Sequence, residues 1–240
     1  MKIAFFQKLS LIEYPGKLCG VIFLAGCNLR CQFCYVPHLV LPEKIKEIKA
    51  IPEKEIFYFL KERKGFLDAI SITGGEPTLN PELPEFIKKI KEMGYLIEIE
   101  TNGTNFEMLK DLVDKKLIDY VAVDIKHDFK FEKWYEITGR VLTKELFENI
   151  KKSINFLLKG KIDYEFRTTL IKEFHKKEDI IEICKKIKKA KVYYLQNFEK
   201  KESQTISGKV FTPFSKNEIE QIIKEGKKYT NIKARRYLLE

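Results

Sequence analysis

Three of the chain's five cysteines, Cys27, Cys31 and Cys34, stand within eight positions in the stretch GCNLRCQFCYVPHLV (26–40). Thiolates are soft ligands, suited to zinc or to iron–sulfur clusters. The C-x3-C-x2-C spacing also puts i, i+4 and i+7 on one helical face, where cysteines can be no more than small buried residues. Gly26 and the polar Asn28, Arg30 and Gln32 between the thiols argue against a buried helix. Two ligation schemes stay open on spacing alone. One is a Cys3His zinc site closed by His38, four residues beyond Cys34, which makes the chain a non-catalytic module. The other is an iron–sulfur cluster on three thiolates with one iron left for a small molecule. A simple electron carrier would also hold a cluster.

The elements that position this loop follow from hydrophobic periodicity. Strand patterns cover 18–25, 68–73, 95–101, 119–125, 163–171 and 191–197, and an opening strand, KIAFFQKL, predicts an N-terminal hairpin. Helical patterns lie near 52–64, 82–93, 105–116, 143–159 and 176–189, with a last helix near 215–228 and a strand-like tail, NIKARRY. Alternation of this kind predicts an α/β fold of parallel strands, a partial (β/α)6 TIM-like barrel. Polar segments close each strand: the cysteine loop, TGGEPTLN (73–80), ETNGTN (100–105) and DIKHD (124–128), then Arg167 and Thr169, then Gln196 and Asn197. In a parallel barrel these ends share the face that carries the active site. No linker interrupts the series, so the prediction is one domain over 1–240, with a core of about 16–200 and a C-terminal helix and short strand over 201–240.

Composition narrows the function. No apolar run spans a bilayer and the N-terminus lacks a signal-peptide pattern, so a cytoplasmic protein is expected. An odd, small number of cysteines makes a poor disulfide framework. The net charge of +10 is spread over 45 basic and 35 acidic residues. That reads as a solvated charged surface rather than a nucleic-acid face, and it leaves an acidic protein partner open. Cys19 and Cys184 are read as core residues, one on a strand and one on a helix. His127 is read as lining the site or as facing solvent from a loop, and His175 as exposed before a helix.

The C-x3-C-x-aromatic-C pattern, with Phe33 as the aromatic and Tyr35 after the last cysteine, resembles the radical S-adenosylmethionine (SAM) signature. The opening FQKLSLIEYPGKLCGVIFLAGCNLRCQFCY is similar to the start of glycyl-radical-enzyme activating proteins, most of all the anaerobic ribonucleoside-triphosphate reductase type. GGEP, ETNG, a D-x-K pair and WYEITG (134–139) follow in the same order, and the likeness spans about residues 5–198.

The resemblance implies that Cys27, Cys31 and Cys34 hold a [4Fe–4S] cluster whose fourth iron is chelated by SAM. One electron then cleaves the S–C5′ bond, and the 5′-deoxyadenosyl radical takes a hydrogen from a glycine Cα of a partner enzyme. It implies that Gly74, Gly75 and Glu76 receive the SAM ammonium and that Thr101 and Asn102 lie near the ribose and methionyl groups. The backbone near Phe33 and Tyr35 would seat the adenine. Asp124 and Lys126 would stand beside SAM and the incoming peptide as the catalytic pair. Arg167 would neutralise a carboxylate, or else form a structural ion pair. The implied partners are a glycyl-radical enzyme and a flavodoxin or ferredoxin as electron donor, in anaerobic metabolism. Where some activases carry a histidine at the end of the sixth strand, this chain has Gln196 and Asn197. The rival within the superfamily is an enzyme acting on a small molecule, such as a deazapurine precursor, or on an RNA base.

Overall fold

A computed structural model of the chain describes residues 1–199 and 205–235. Positions 236 and 237 of the predicted tail lie outside them. The chain divides into two compact units, Met1–Asn28 with Val36–Ala122, and Leu29–Tyr35 with Val123–Glu240.

In the first unit β1 (Ile3–Ser10) and β2 (Cys19–Leu24) form the expected antiparallel hairpin, with Phe6 opposite Ile22 and Ser10 opposite Cys19. β2, β3 (Ala69–Gly74) and β4 (Leu96–Thr101) run parallel, Ile22 beside Ile72 and Ile72 beside Ile99. The short helices α1 (Pro37–Val40) and α2 (Pro42–Glu47) each begin at a proline, whose fixed φ suits a first helical turn. α3 (Glu53–Glu62), α4 (Leu83–Glu92) and α5 (Phe106–Asp114) follow. In α4 the buried residues Leu83, Phe86, Ile87 and Ile90 recur at i, i+3, i+4 and i+7, a single apolar stripe. Each such side chain, fully buried, contributes about 1.5–3 kcal/mol.

The chain passes into the second unit within β5 (Tyr120–Asp124). There follow α6 (Phe131–Ile137), α7 (Lys144–Leu157), β6 (Asp163–Leu170), α8 (Lys177–Lys186), β7 (Tyr193–Asn197), α9 (Lys216–Gly226) and β8 (Ile232–Ala234). β6, β7 and β8 are parallel. Thr143 caps α7 by accepting the Leu146 N–H, and Ser215 with Glu218 closes a reciprocal capping box on α9. Strand order follows chain order, and β1 and β8 each have one strand neighbour among the described residues, so the sheet is open rather than a closed barrel. Among the described residues no helix is long and apolar enough to cross a membrane.

The elements agree with the sequence reading except at α1, α2 and α6, which were not expected, and in the tail, where among the described residues Ile232–Ala234 is extended. Cys19 and Cys184 are fully buried on β2 and α8, as anticipated.

Candidate active site

None of the five cysteines is in a disulfide. The division into units falls within the cysteine loop, with Cys27 in the first and Cys31 and Cys34 in the second.

On the Cys27 side, two glycines bring β3 against the start of the loop. Gly74 has φ +114, and a Cβ there would stand 2.4 Å from the Leu24 carbonyl oxygen. A Cβ on Gly75 would lie 2.0 Å from the Gly26 carbonyl oxygen. The space they leave is filled by the chain itself: the Gly75 N–H donates to Leu24 at 2.8 Å and the Glu76 N–H to Gly26 at 2.7 Å. Only glycine permits both the positive φ and that approach.

Glu76, with no exposure, is a hub. Its Oε1 accepts from the Thr78 N–H, the Thr78 hydroxyl and the Thr101 hydroxyl, at 3.1, 2.5 and 2.7 Å; Oε2 accepts from the Asn102 N–H at 2.6 Å. Burial raises its pKa against the pull of these donors. Glu76 thus ties GGEP to ETNG within the chain. Asn102 carries the tie onward: its Nδ2 donates to Asn28 Oδ1 at 3.0 Å and points at Cys27 Sγ at 4.0 Å. Its Oδ1 accepts from the Thr104 N–H and hydroxyl, and that hydroxyl accepts from Asn28 Nδ2 at 2.9 Å. Asn28 and Thr104, which sequence reasoning passed over, are therefore part of the site's frame. The polar density of GCN and ETNGTN was the available signal. Thr73 on β3 and Glu100 on β4 add a hydrogen bond of 2.7 Å.

On the Cys31–Cys34 side the ionic pair is Asp124 and Lys126, two residues apart and 2.6 Å from each other. The lysine side chain is 11% exposed and the aspartate 41%. The ammonium lies 5.6 Å from the centroid of the Phe33 ring. Burial alone would lower the Lys126 pKa, but the Asp124 carboxylate, with the neighbouring sulfurs of Cys31 and Cys34, outweighs it and holds the ammonium above its usual range. Burial pushes the Cys31 thiol up to about 11, with Lys126 opposing it. Phe33 sits in an apolar cluster with Ile137, Ile171, Phe198 and Phe211, while Tyr35 is exposed.

Other predicted residues are placed elsewhere. Arg167 is buried and ion-paired through Nε with Glu165, which also binds Arg235; the structural ion pair is the arrangement observed. The Asn197 amide is taken by the backbone of Phe214, donating at 2.7 Å and accepting at 2.9 Å. His38 is exposed on α1. His175, expected at the surface, is 2% exposed: its Nδ1 accepts the Ile171 N–H and its Nε2 meets the Lys126 carbonyl oxygen at 2.7 Å. Burial lowers its pKa to about 4. His127, stacked on His175 at 5.3 Å, is buried too, with Nδ1 on Asp128 and Nε2 on the Phe174 carbonyl. His127, Asp128 and Asp179 have ligand-capable atoms within 4.8 Å of one another, but the Lys130 ammonium already sits 2.7 Å from Asp128. These residues make a satisfied buried network.

The pattern of the Radical SAM superfamily matches residues 21–187. A candidate glycyl-radical enzyme activating enzyme of Methanocaldococcus jannaschii is 37% identical over 223 residues, covering 92% of this chain and 90% of that one. The 7-carboxy-7-deazaguanine synthase of Clostridium acetobutylicum is 29% identical over 80% of this chain and 78% of its own. Among solved structures, Streptococcus suis SuiB bound to its precursor peptide superposes with a TM-score of 0.67 at 18% identity, covering 89% of this chain and 48% of that chain; the likeness shows the fold. The chain belongs to the radical SAM superfamily, enzymes that work with a [4Fe–4S] cluster and S-adenosylmethionine, and within it to the family of glycyl-radical enzyme activating enzymes.

Proposed function

We propose that the chain is an activase that removes a hydrogen atom from one glycine Cα of a partner enzyme, of the anaerobic ribonucleoside-triphosphate reductase type, with flavodoxin or ferredoxin as electron donor. Its two units act as one catalytic domain in the cytoplasm. The observation that carries the reading is the D-x-K pair: Lys126 is locked at 2.6 Å on Asp124, over Phe33 and within the field of Cys31 and Cys34.

Cys27, Cys31 and Cys34 are assigned as the three cluster ligands. The donor set fits: three thiols outside any disulfide, an Asn102 amide pointing at the Cys27 sulfur, and a lysine cation beside the other two. Held there, a [4Fe–4S] cluster would supply the single electron for reductive cleavage of SAM and, through it, the hydrogen-abstracting chemistry of an activase.

The remaining work belongs to the chain's own residues. The backbone at Gly74 and Gly75 receives the SAM ammonium. Glu76, its oxygens holding Thr78, Thr101 and Asn102, acts by fixing the ETNG turn toward the ribose and methionyl groups. The backbone from Phe33 to Tyr35 seats the adenine. Lys126 stays protonated across the physiological range, so it neutralises negative charge and orients, and takes no proton. Asp124, the more exposed of the pair, accepts a hydrogen bond from the backbone of the incoming glycine segment. Arg167 is assigned to the framework, since Glu165 already neutralises it.

The likeness to the deazaguanine synthase favours a second reading, a small-molecule substrate such as a deazapurine precursor. One experiment separates the two. Protein reconstituted with iron and sulfide under anaerobic conditions is reduced with dithionite and given SAM, and 5′-deoxyadenosine and methionine are expected. Addition of a glycyl-radical enzyme should then produce a glycyl-radical doublet in electron paramagnetic resonance. Turnover of a deazapurine precursor, with no doublet on any such partner, sinks the activase reading.

A further inference from the structure

Residues 205–214 belong to no motif, yet they touch the cysteine loop's main chain twice. The Ile206 N–H donates to the Cys34 carbonyl at 2.9 Å and the Ser207 N–H to the Gln32 carbonyl at 3.2 Å. The same loop is tied to the end of α6, where the Arg30 N–H donates to Thr138 at 3.1 Å and the Gln32 N–H to Ile137 at 3.0 Å. Gln32 Nε2 adds a bond of 2.8 Å to the Glu136 carbonyl. Both backbone groups of Gln32 and its side chain are therefore engaged.

The segment that makes these contacts is itself fixed. The Thr205 hydroxyl donates to the Lys209 carbonyl at 2.8 Å, and the Gly208 N–H to the Thr205 carbonyl at 3.0 Å, which closes a turn presenting Ile206 and Ser207. Phe211 is 2% exposed in the apolar cluster that includes Phe33 and against which Cys31 packs. The Thr212 N–H donates to the Glu173 carboxylate and Phe214 is held by Asn197. Anchors on both the β6–α8 connection and the end of β7 leave the turn little freedom.

We infer that residues 205–214 are a clamp on the Cys31–Cys34 half of the loop, ordering its backbone before metal is bound and slowing metal loss afterwards. The second half of this statement rests on the assignment of these cysteines as cluster ligands; the first does not. A loop residue ordered in advance does not lose its conformational freedom at the moment of ligation, and this strengthens binding without any new contact to the ligand. Ile206 and Ser207 act as positioning residues, through main-chain groups alone.

Amide hydrogen exchange on the metal-free protein tests the clamp. Ser207→Pro lacks the N–H that reaches Gln32, and exchange over 29–35 should accelerate about tenfold, as expected for one or two lost hydrogen bonds. The first unit should not change. Thr205→Val, which removes the turn's hydroxyl bond, should act in the same direction, whereas Thr205→Ser keeps the donor and should match the unsubstituted chain. After reconstitution, iron should pass to a chelator about tenfold faster in the proline and valine variants. Unchanged exchange over 29–35 in Ser207→Pro overturns the clamp, since the donor is absent by construction. Should that variant not fold, unchanged exchange over 29–35 in Thr205→Val overturns it. A chain that passes the exchange test but retains no iron would remove the ligand assignment and leave the clamp standing.

Discussion

The two ends of the cysteine loop are held by different physics. At Cys27 the work is done by side chains: a buried carboxylate with four donors, an amide directed at sulfur, and two glycines whose missing Cβ atoms admit the neighbouring main chain. At Cys31 and Cys34 it is done by main-chain bonds to residues 137–138 and 206–207, and by aromatic packing around Phe33. The first kind of hold depends on residue identity at a few positions. The second tolerates many side chains, because every residue but proline carries the same donor and acceptor. Single substitutions should therefore injure the first end more than the second, unless they touch the thiols themselves.

The thiols give the largest effect. Cys27→Ser, Cys31→Ser and Cys34→Ser should each abolish retention of a four-iron cluster, while Cys19→Ala and Cys184→Ala should retain it; iron and sulfide analysis after anaerobic reconstitution decides. Next is Glu76→Ala, which leaves the Thr78 and Thr101 hydroxyls and two backbone N–H groups without their acceptor. A loss of about 4 kcal/mol is expected in urea unfolding. The counterpart at the other end is Gln32→Ala. It removes one exposed bond and should cost about 0.5–1 kcal/mol. Equal losses in the two variants would erase the contrast.

This contrast also explains what the sequence disclosed. GGEP, ETNG and D-x-K could be read because their chemistry lies in their side chains. The turn at 205–208 could not, since it contributes peptide N–H groups that any sequence supplies. His175 was misjudged for the same reason: its charged neighbours in KEFHKKED suggest a surface, but a backbone N–H and a backbone carbonyl claim its two ring nitrogens. α6 escaped notice because FEKWYEI is short and rich in aromatics, and only Trp134 and Ile137, three apart, mark its buried face. The longer helices and the strands before the tail, with many apolar positions each, were legible to within two or three residues.

Acid should separate the two units. Burial lowers the His175 pKa to about 4, so between about 6.5 and 4 the unfolded chain binds more protons than the folded one. This contribution, about 3 kcal/mol, is present above 6.5 and lost as the pH falls through about 4. Glu76 has the opposite sign: its raised pKa favours the folded state fully below its ordinary value of 4.5, and that benefit fades as the pH rises. Mild acid thus loosens the second unit while it spares the first. Trp134, the chain's one tryptophan, is buried in the second unit, so its fluorescence reports that loss. His175→Gln should move the acid transition to lower pH; an unmoved transition would place the acid-sensitive group elsewhere.

The glycines give a smaller and more even comparison. Gly75→Ala drives a methyl to 2.0 Å from the Gly26 oxygen, and Gly139→Ala, at φ +76, drives one to 2.3 Å from the Arg30 oxygen. Each should cost about 2 kcal/mol by overpacking. The injury should fall on different ends, with exchange rising at 26–28 for the first and at 29–32 for the second. If both variants disturbed the loop along its whole length, the loop would behave as one body and the division at Asn28 would carry no mechanical meaning.

The finest test concerns a buried side-chain interaction at the second end that resembles those at the first. A desolvated ammonium over a phenyl ring contributes about 1–2 kcal/mol, and Lys126 lies 5.6 Å from the Phe33 centroid with little exposure. Phe33→Leu keeps apolar bulk against Ile137 and Phe211 but removes the ring face. Its cost includes lost packing, so the single variant cannot isolate the ionic part. The cycle with Lys126→Met can: Asp124, being 41% exposed, is rehydrated when its partner is lost, and the ring then has no cation to meet. A coupling of about 1 kcal/mol would mean that Phe33 anchors Lys126 as well as the apolar cluster, so that residue identity matters at this end beyond Gly139. A coupling of zero would leave Phe33 a packing residue and main-chain bonding, with that packing, the main hold on Cys31 and Cys34, which is the sharper form of the contrast.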